Sequence, residues 1–288
     1  MARLHEELEL GQFIPLHYHY NMLNDYARVA GFKAAIKQVV RPGARVLELG
    51  GGTGVLSFFA ACQGAHVWCV EREPQLAHEA RKALAKNPCS GTVEVIEADA
   101  FHYLPPQPVE VVICEMIHVA MLREKQIAVI ASFKQRYLEK FAGPLPLFVP
   151  EAFIQAVQPV HQSFNFEGYY APVPLLQDPI AFQDRTTALG QPVVYQSVRY
   201  EDTLPVRCNW EGEVRIEKTG TLNALRFITK NILAIMPESG SSTDWHSQYL
   251  IVPLEEPVQV EAGQSLLIRF DYAPGDPLGA LRPEIVNR

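Results

Sequence analysis

The 288-residue chain has no surplus of positive charge: 25 Lys and Arg stand against 32 Asp and Glu, a formal balance of −7. No basic run breaks that balance, so the clustered cations that hold a phosphate backbone are missing and nucleic acid is not an expected partner. No uninterrupted apolar stretch approaches the roughly 20 residues needed to cross a bilayer. The opening Met1-Ala2-Arg3-Leu4-His5-Glu6-Glu7 lacks the apolar core of a signal peptide. Five cysteines (Cys62, Cys69, Cys89, Cys114, Cys208) are an odd number with no Cys-x-x-Cys pair, and Cys69 and Cys114 sit in apolar runs. They are expected to be reduced thiols of a cytoplasmic protein with no membrane partner. His17-x-His19 has no third or fourth ligand at suitable spacing, so no metal site is expected.

What is present is an ordinary globular composition, 48% hydrophobic and 20% charged. Up to about residue 142, strand-like and helix-like stretches alternate. Apolar pairs from Met22-Leu23 to Val39-Val40 recur at helical spacing and stop at Arg41-Pro42-Gly43. Arg45–Leu49, His66–Val70, Thr92–Ala98 and Val109–Glu115 are expected strands. Val55–Gln63, Pro74–Lys86 and Glu124–Phe141 are expected helices, Pro74 being favourable in a first turn. Such alternation predicts a parallel sheet covered on both faces. Beyond Gly143-Pro144-Leu145-Pro146 the grammar changes to β-rich runs separated by Gly, Pro and Ser, from Leu147–Val149 through Val193–Tyr200, Glu213–Glu217, Leu225–Ile235, Gln248–Val252 and Leu266–Tyr272. The expected fold is an α/β Rossmann-like domain over residues 1–145, followed by a β-rich sandwich or barrel-like domain over residues 146–288. The last strand of the first domain is expected to use part of the Pro-rich boundary.

The most informative stretch is Val46-Leu47-Glu48-Leu49-Gly50-Gly51-Gly52-Thr53-Gly54. A strand runs into glycines and then a helix, which lets backbone approach a ligand at the C-terminal edge of a parallel sheet. The pattern is acidic-x-Gly-x-Gly-x-Gly. A dinucleotide fingerprint would need glycine where Val55 stands, and a P-loop would need a Lys-Ser/Thr pair. With no pyrophosphate to cradle, S-adenosylmethionine (SAM) is the expected ligand, with S-adenosylhomocysteine as product. Glu71 closes the second strand, where a carboxylate can accept from ribose hydroxyls, and Asp99 closes the third, near the adenine edge. Glu48, Gly50, Gly52, Gly54, Glu71 and Asp99 are therefore candidate cofactor-binding residues.

The loop after the fourth strand faces the transferable methyl group and selects the chemistry. Here it runs Cys114-Glu115-Met116-Ile117-His118-Val119-Ala120-Met121-Leu122-Arg123-Glu124, without the Asn/Asp-Pro-Pro-aromatic tetrad of base amino-methylation. Two glutamates bracket the loop. A guanidinium presents five donors in a planar fork, which paired carboxylates can grip bidentately. They could also concentrate charge away from the attacking nitrogen and help remove a proton. Glu115 and Glu124 are the candidate catalytic pair, and His118 inside the loop is a candidate substrate contact.

At this point the chain resembles the protein arginine methyltransferases, whose double-glutamate loop has this spacing. His19-Tyr20-Asn21-Met22-Leu23-Asn24-Asp25-Tyr26-Ala27-Arg28 is similar to the family's His-x-x-Met-Leu-x-Asp-x-x-Arg segment. The resemblance implies Met22 beside the substrate, Arg28 on the SAM carboxylate, Glu71 on the ribose, and Glu115 and Glu124 on the guanidinium. Leu147-Phe148-Val149-Pro150 resembles the family's last core strand, and Thr243-Asp244-Trp245-His246-Ser247-Gln248 its Thr-His-Trp loop. Asp244 and His246 are thereby implied substrate-side residues, with Trp245 in a packing role. Three departures stand out. Asp244 replaces the loop histidine normally set against the first-helix aspartate, so an Asp25–Asp244 pair would repel or share a proton. Phe13-Ile14-Pro15-Leu16-His17-Tyr18 lacks the family's tyrosine pattern. Residues 161–180 offer a short Pro- and aromatic-rich piece in place of the dimerisation arm, so a homodimer is allowed rather than required. The expected activity is methyl transfer to a guanidinium-type nitrogen on a protein, peptide or small-molecule acceptor. The alternatives are a small-molecule O-, C- or N-methyltransferase and an inactive SAM-binding module.

Overall fold

A computed structural model describes residues 16–286; the expectation placed on Phe13 to Pro15 lies outside them. Two helices, α1 (Leu16–Met22) and α2 (Tyr26–Val39), lead into the sheet. Asp25 caps α2, its Oδ1 accepting from the Arg28 amide at 2.9 Å. The first sheet holds β1 (Arg45–Leu49), β2 (His66–Glu71), β3 (Thr92–Glu97), β4 (Val111–Cys114) and β5 (Leu147–Val149). Between its strands run α3 (Val55–Ala61), α4 (Pro74–Ala85) and α5 (Gln126–Lys140). All pairings are parallel, in the order β3-β2-β1-β4-β5. The order reverses between β1 and β4, and a crevice outside the carboxyl ends of strands at such a switch point is where open α/β sheets bind ligands. Nearly every residue of β1, β2 and β4 is buried, as a sheet covered on both faces requires. Leu147–Val149 pairs with β4, so the parallel sheet runs just past residue 145, where the first domain was expected to end.

The chain then enters an antiparallel array. Its strands are β6 (Ala152–Gln162), β7 (Asn165–Phe166), β8 (Tyr169–Tyr170), β9 (Leu175–Gln177), β10 (Thr186–Ala188), β11 (Val193–Arg199) and β12 (Cys208–Arg215), then β13 (Gly220–Met236), β14 (Ser241–His246), β15 (Tyr249–Val260), β16 (Ser265–Tyr272) and β17 (Glu284–Val286). A seven-stranded sheet is built on β10-β6-β13-β15-β9, with β11 on β6 and β14 on β13; β12-β16-β17 forms a second sheet. Leu225, Phe227, Leu250 and Val252 of the large sheet bury against Val214, Ile268 and Phe270 of the small one, giving a sandwich core. A separate apolar cluster joins Phe32, Leu47, Ile113 and Phe133 to Phe153, Leu233 and Trp245. The α/β and β-rich parts are therefore packed through a shared core, which fixes the cleft between them.

Candidate functional site

The glycine segment folds as the sequence pattern requires. Gly50, Gly52 and Gly54 all have positive φ (77°, 55° and 79°), a left-handed conformation that side chains disfavour. Gly51 lies so close to the second strand that a Cβ there would stand 2.3 Å from the Cys69 Sγ. Glu48 is 2% exposed and turned beneath this loop, accepting from the Ser57 amide at 2.9 Å and from the Ser57 hydroxyl. The expected ligand carboxylate thus also pins the start of α3. Burial raises it to about 7, against the opposing pull of Ser57. Glu71 accepts from the Gly52 amide at 2.9 Å and the Glu73 amide at 2.8 Å, which fixes its carboxylate at the end of β2. Asp99 accepts from the Phe101 amide at 2.9 Å. Glu48, Gly50, Gly52, Glu71 and Asp99 line one cleft at the switch point. The glycine segment itself carries no lysine, and the acids lining the cleft (Glu48, Glu71, Glu73, Asp99, Glu115 and Glu124) outnumber its cations (Arg28, Arg72 and Lys125), which suits a nucleoside with a cationic sulfonium better than a phosphate chain. The residues fit SAM.

The double-glutamate loop closes the same cleft. Glu115 follows β4 directly. Glu124 precedes α5, which begins at Gln126 with Lys125 as its cap, so it is a loop carboxylate rather than a first-turn acid. Gln126 staples the two ends of the loop: its Nε2 donates to the Cys114 carbonyl at 2.7 Å and its Oε1 accepts from the Met116 amide at 2.9 Å. Between them Ala120, Met121 and Arg123 hold φ of 58°, 55° and 62°, values that non-glycine residues adopt only when their surroundings impose them. Arg28 was expected to reach the cofactor carboxylate. Here its Nε donates to Glu115 Oε2 at 2.9 Å and its Nη2 bonds the same oxygen, with both side chains under 10% exposed. Glu124 keeps part of its surface open to the cleft but is enclosed by protein elsewhere. That desolvation, with the neighbouring Glu115 charge, pushes it up to about 8.

A second cleft opens toward the β-rich part, walled by His118, Asp244, Trp245 and His246 among others. Met22, Arg28, Glu115 and Glu124 line both clefts, so the two open onto one another across the glutamate pair. His118 Nδ1 lies 3.1 Å from the Val119 carbonyl; its Nε2 is buried without a hydrogen-bond partner, and burial lowers the ring to about 4. Asp244 does not pair with Asp25. It meets Lys230 at 2.9 Å, while Asp25 caps α2, so each carboxylate has its own partner and the expected repulsion is avoided. His246 is lowered by burial and by Lys230. Trp245 is packed, its ring centroid 6.2 Å from that of Phe32. Tyr18, Gln126 and Thr229 are contributors that the sequence reading did not single out. Tyr18 borders the second cleft, and its hydroxyl is raised by burial and by the Glu124 and Glu115 charges. Among the described residues, no group of three His, Cys, Asp or Glu could hold a metal ion.

A family profile described as "Methyltransferase domain" matches residues 46–137, the span from β1 into α5. An uncharacterized protein of Methanothermobacter thermautotrophicus is 30% identical over 93% of this chain and 97% of its own length. An arginine N(omega)-methyltransferase of Streptomyces achromogenes is 23% identical over 89% of this chain and 76% of its own. The solved Trypanosoma brucei PRMT1 enzyme–prozyme heterotetrameric complex with AdoHcy superposes with a TM-score of 0.72 at 15% identity, covering 93% of this chain and 96% of that one. The fold is that of the arginine methyltransferase structure, in both the parallel sheet and the antiparallel region. The chain belongs to one family with its archaeal relative and is a SAM-dependent methyltransferase of class I, a divergent member resembling the protein arginine methyltransferases.

Proposed function

We propose that the enzyme methylates a guanidinium-type nitrogen held by Glu115 and Glu124. The observation that carries this is the placement of both glutamates in the wall shared by the two clefts. Glu115, moreover, already grips a guanidinium, that of Arg28, through two donors. Glu48, Gly50, Gly52, Glu71 and Asp99 would hold SAM, with Arg28 toward its carboxylate; Gly54, expected among them, lies outside the cleft lining and caps α3, the side where a Cβ would stand facing Leu84 and Ala80. Bound there, SAM supplies an electrophilic methyl group on a cationic sulfur. The chain's own contribution is positional and electrostatic. Glu115 fixes the plane of the guanidinium and draws its positive charge toward the carboxylate, which leaves density on the attacking nitrogen. Glu124, raised to about 8 by burial and by Glu115, is a carboxyl whose proton state responds to an arriving cation. Met22, His118, Asp244 and His246 form the acceptor side of the cleft.

The acceptor is arginine in the name of the Streptomyces relative, which favours an arginine group here, free or within a peptide or protein. A cytoplasmic location is part of the reading, and the five free thiols are in keeping with it. Radiolabelled methyl transfer to free arginine, to arginine peptides and to matched lysine peptides tests the acceptor. Label in the guanidino substrates, lost in Glu115→Gln, supports the reading. Equal labelling of the lysine peptides, or full activity in Glu115→Gln, overturns it.

A further inference from the structure

The loop that carries both glutamates adopts a backbone its own sequence does not favour. Three non-glycine residues between Val119 and Glu124 lie in the left-handed region, at a cost of order 1 kcal/mol or more each for side-chain-bearing residues. Something outside the loop must hold it, and the contacts come from the far end of the chain. Thr229, in the middle of β13 and fully buried, accepts from the Ala120 amide through Oγ1 at 2.8 Å. A turn after β16 supplies the rest. The Arg123 amide donates to the Asp276 carbonyl at 2.7 Å, and the Gly275 amide donates to the Met121 carbonyl at 2.7 Å. Lys125 Nζ adds a bond to the Gly275 carbonyl at 3.0 Å. The turn is itself braced by Asp276, whose Oδ2 accepts from the Ala273 amide at 2.8 Å. Every residue with positive φ in the loop is thus bonded at its amide or carbonyl to the β-rich part.

We propose that Thr229 and the Gly275–Asp276 turn are positioning residues for methyl transfer, setting through the backbone of residues 120–123 where Glu115 and Glu124 point. The inference rests on the double-glutamate reading above and deepens it: the β-rich part shapes the reacting end of the site as well as walling the acceptor cleft. Neither Thr229 nor Gly275 borders the cofactor cleft or the acceptor cleft, so their influence runs through the loop.

The test pairs Thr229→Val, which keeps shape but leaves the Ala120 amide without its acceptor, with Thr229→Ser, which keeps the oxygen. Gly275→Ala is an independent perturbation from the turn. Gly275 has φ of +86°, and an added Cβ would stand 3.1 Å from the Lys125 Cδ. Affinity for S-adenosylhomocysteine, held by the glycine cleft, certifies the fold and is expected within about twofold of the parent in all three. We expect kcat to fall at least tenfold in Thr229→Val and in Gly275→Ala, since a small misplacement of a reacting group can cost about 100-fold. Thr229→Ser should recover to within about threefold. Hydrogen exchange over residues 117–124 should accelerate in Thr229→Val and not in Thr229→Ser, whatever the acceptor. Unchanged exchange together with kcat within twofold of the parent in Thr229→Val overturns the proposal. If Thr229→Val does not fold, Gly275→Ala decides by the same criteria. Accelerated exchange in a protein that methylates no guanidino acceptor counts against the acceptor and for the clamp, so the two failures are told apart.

Discussion

Replacing Glu124 with glutamine should make the enzyme more stable in mildly alkaline solution while stripping its activity. Burial, reinforced by the Glu115 charge, holds the Glu124 carboxyl at about 8 in the folded chain, against about 4.3 for a solvated glutamate. Between those values the native state binds a proton that the unfolded state has released. Stability therefore falls as pH rises across the window, and the loss is complete above about 8. At about 1.4 kcal/mol per unit, the ceiling on this destabilisation is roughly 5 kcal/mol; the open side of Glu124 reduces it to a few kcal/mol in practice. Glutamine is the uncharged, near-isosteric counterpart of the protonated carboxyl, so it escapes the penalty. At pH 5, just above the unfolded-state value, the parent and Glu124→Gln should differ by no more than about 1 kcal/mol. At pH 8 the variant should be more stable by a few kcal/mol, or several degrees in Tm for a chain of this size. Urea titrations at pH 5, 6, 7 and 8, read by tryptophan fluorescence, give both curves. A variant no more stable than the parent at pH 8, or a parent whose stability does not decline between pH 5 and 8 relative to the variant, refutes the reasoning.

Three further outcomes follow from the same geometry. A guanidinium entering beside Glu124 should draw its pKa down, so acceptor binding at pH 7 releases roughly one proton. Calorimetry in buffers of different ionisation enthalpy reads that release, and a buffer-independent heat would contradict it. Glu115→Gln removes the charge opposite the buried Arg28 guanidinium as well as the acceptor's main grip; we expect at least a 100-fold loss in kcat/KM and a destabilisation of about 3–5 kcal/mol, measured by steady-state rates and denaturation. Gly51→Ala inserts a Cβ 2.3 Å from the Cys69 Sγ. That overlap should cost about 1–3 kcal/mol and weaken SAM binding by displacing the loop, which equilibrium dialysis can follow.

The parallel half was legible because its physics is local. A buried strand, a run of glycines and a helix follow one another in the chain, and the order of strand and helix nearly dictates the sheet. The β-rich half was less so. Sequence pattern alone does not reveal β6, an eleven-residue strand between β13 and the pair β10 and β11. Buried on both faces, it has no polar alternation to reveal it, and Gln155, Gln158 and Pro159 disguise it further. Pro159 is tolerated because it falls in a gap: β11 pairs as far as Val157 and β10 begins at Val160, so no ladder bond on that side needs its missing N–H. β14 is hidden for the complementary reason: Ser241-Ser242-Thr243-Asp244 is polar and reads as loop until β13 is there to pair with it.

The acids of the site show where sequence spacing stops being informative. Glu48, Glu71 and Glu115 stand at or beside strand ends and Glu124 just before α5, and position along the chain does not say how each carboxylate is held. Their roles separate according to the donors opposite each one. Glu48 faces Ser57 and anchors a helix. Glu71 faces two backbone amides that aim it without neutralising it. Glu115 faces a guanidinium. Glu124 has the Glu115 charge beside it and a low-dielectric wall around it. A carboxylate set against fixed amides or a hydroxyl is held in place by them and has less to gain from an arriving cation. One held next to another carboxylate, against its own ionisation, gains most from an arriving cation. By that criterion Glu124, rather than the motif acid Glu48, is where acceptor binding should be felt most strongly. The raised pKa, the proton release and the stabilising glutamine are three measurements of that one buried carboxyl.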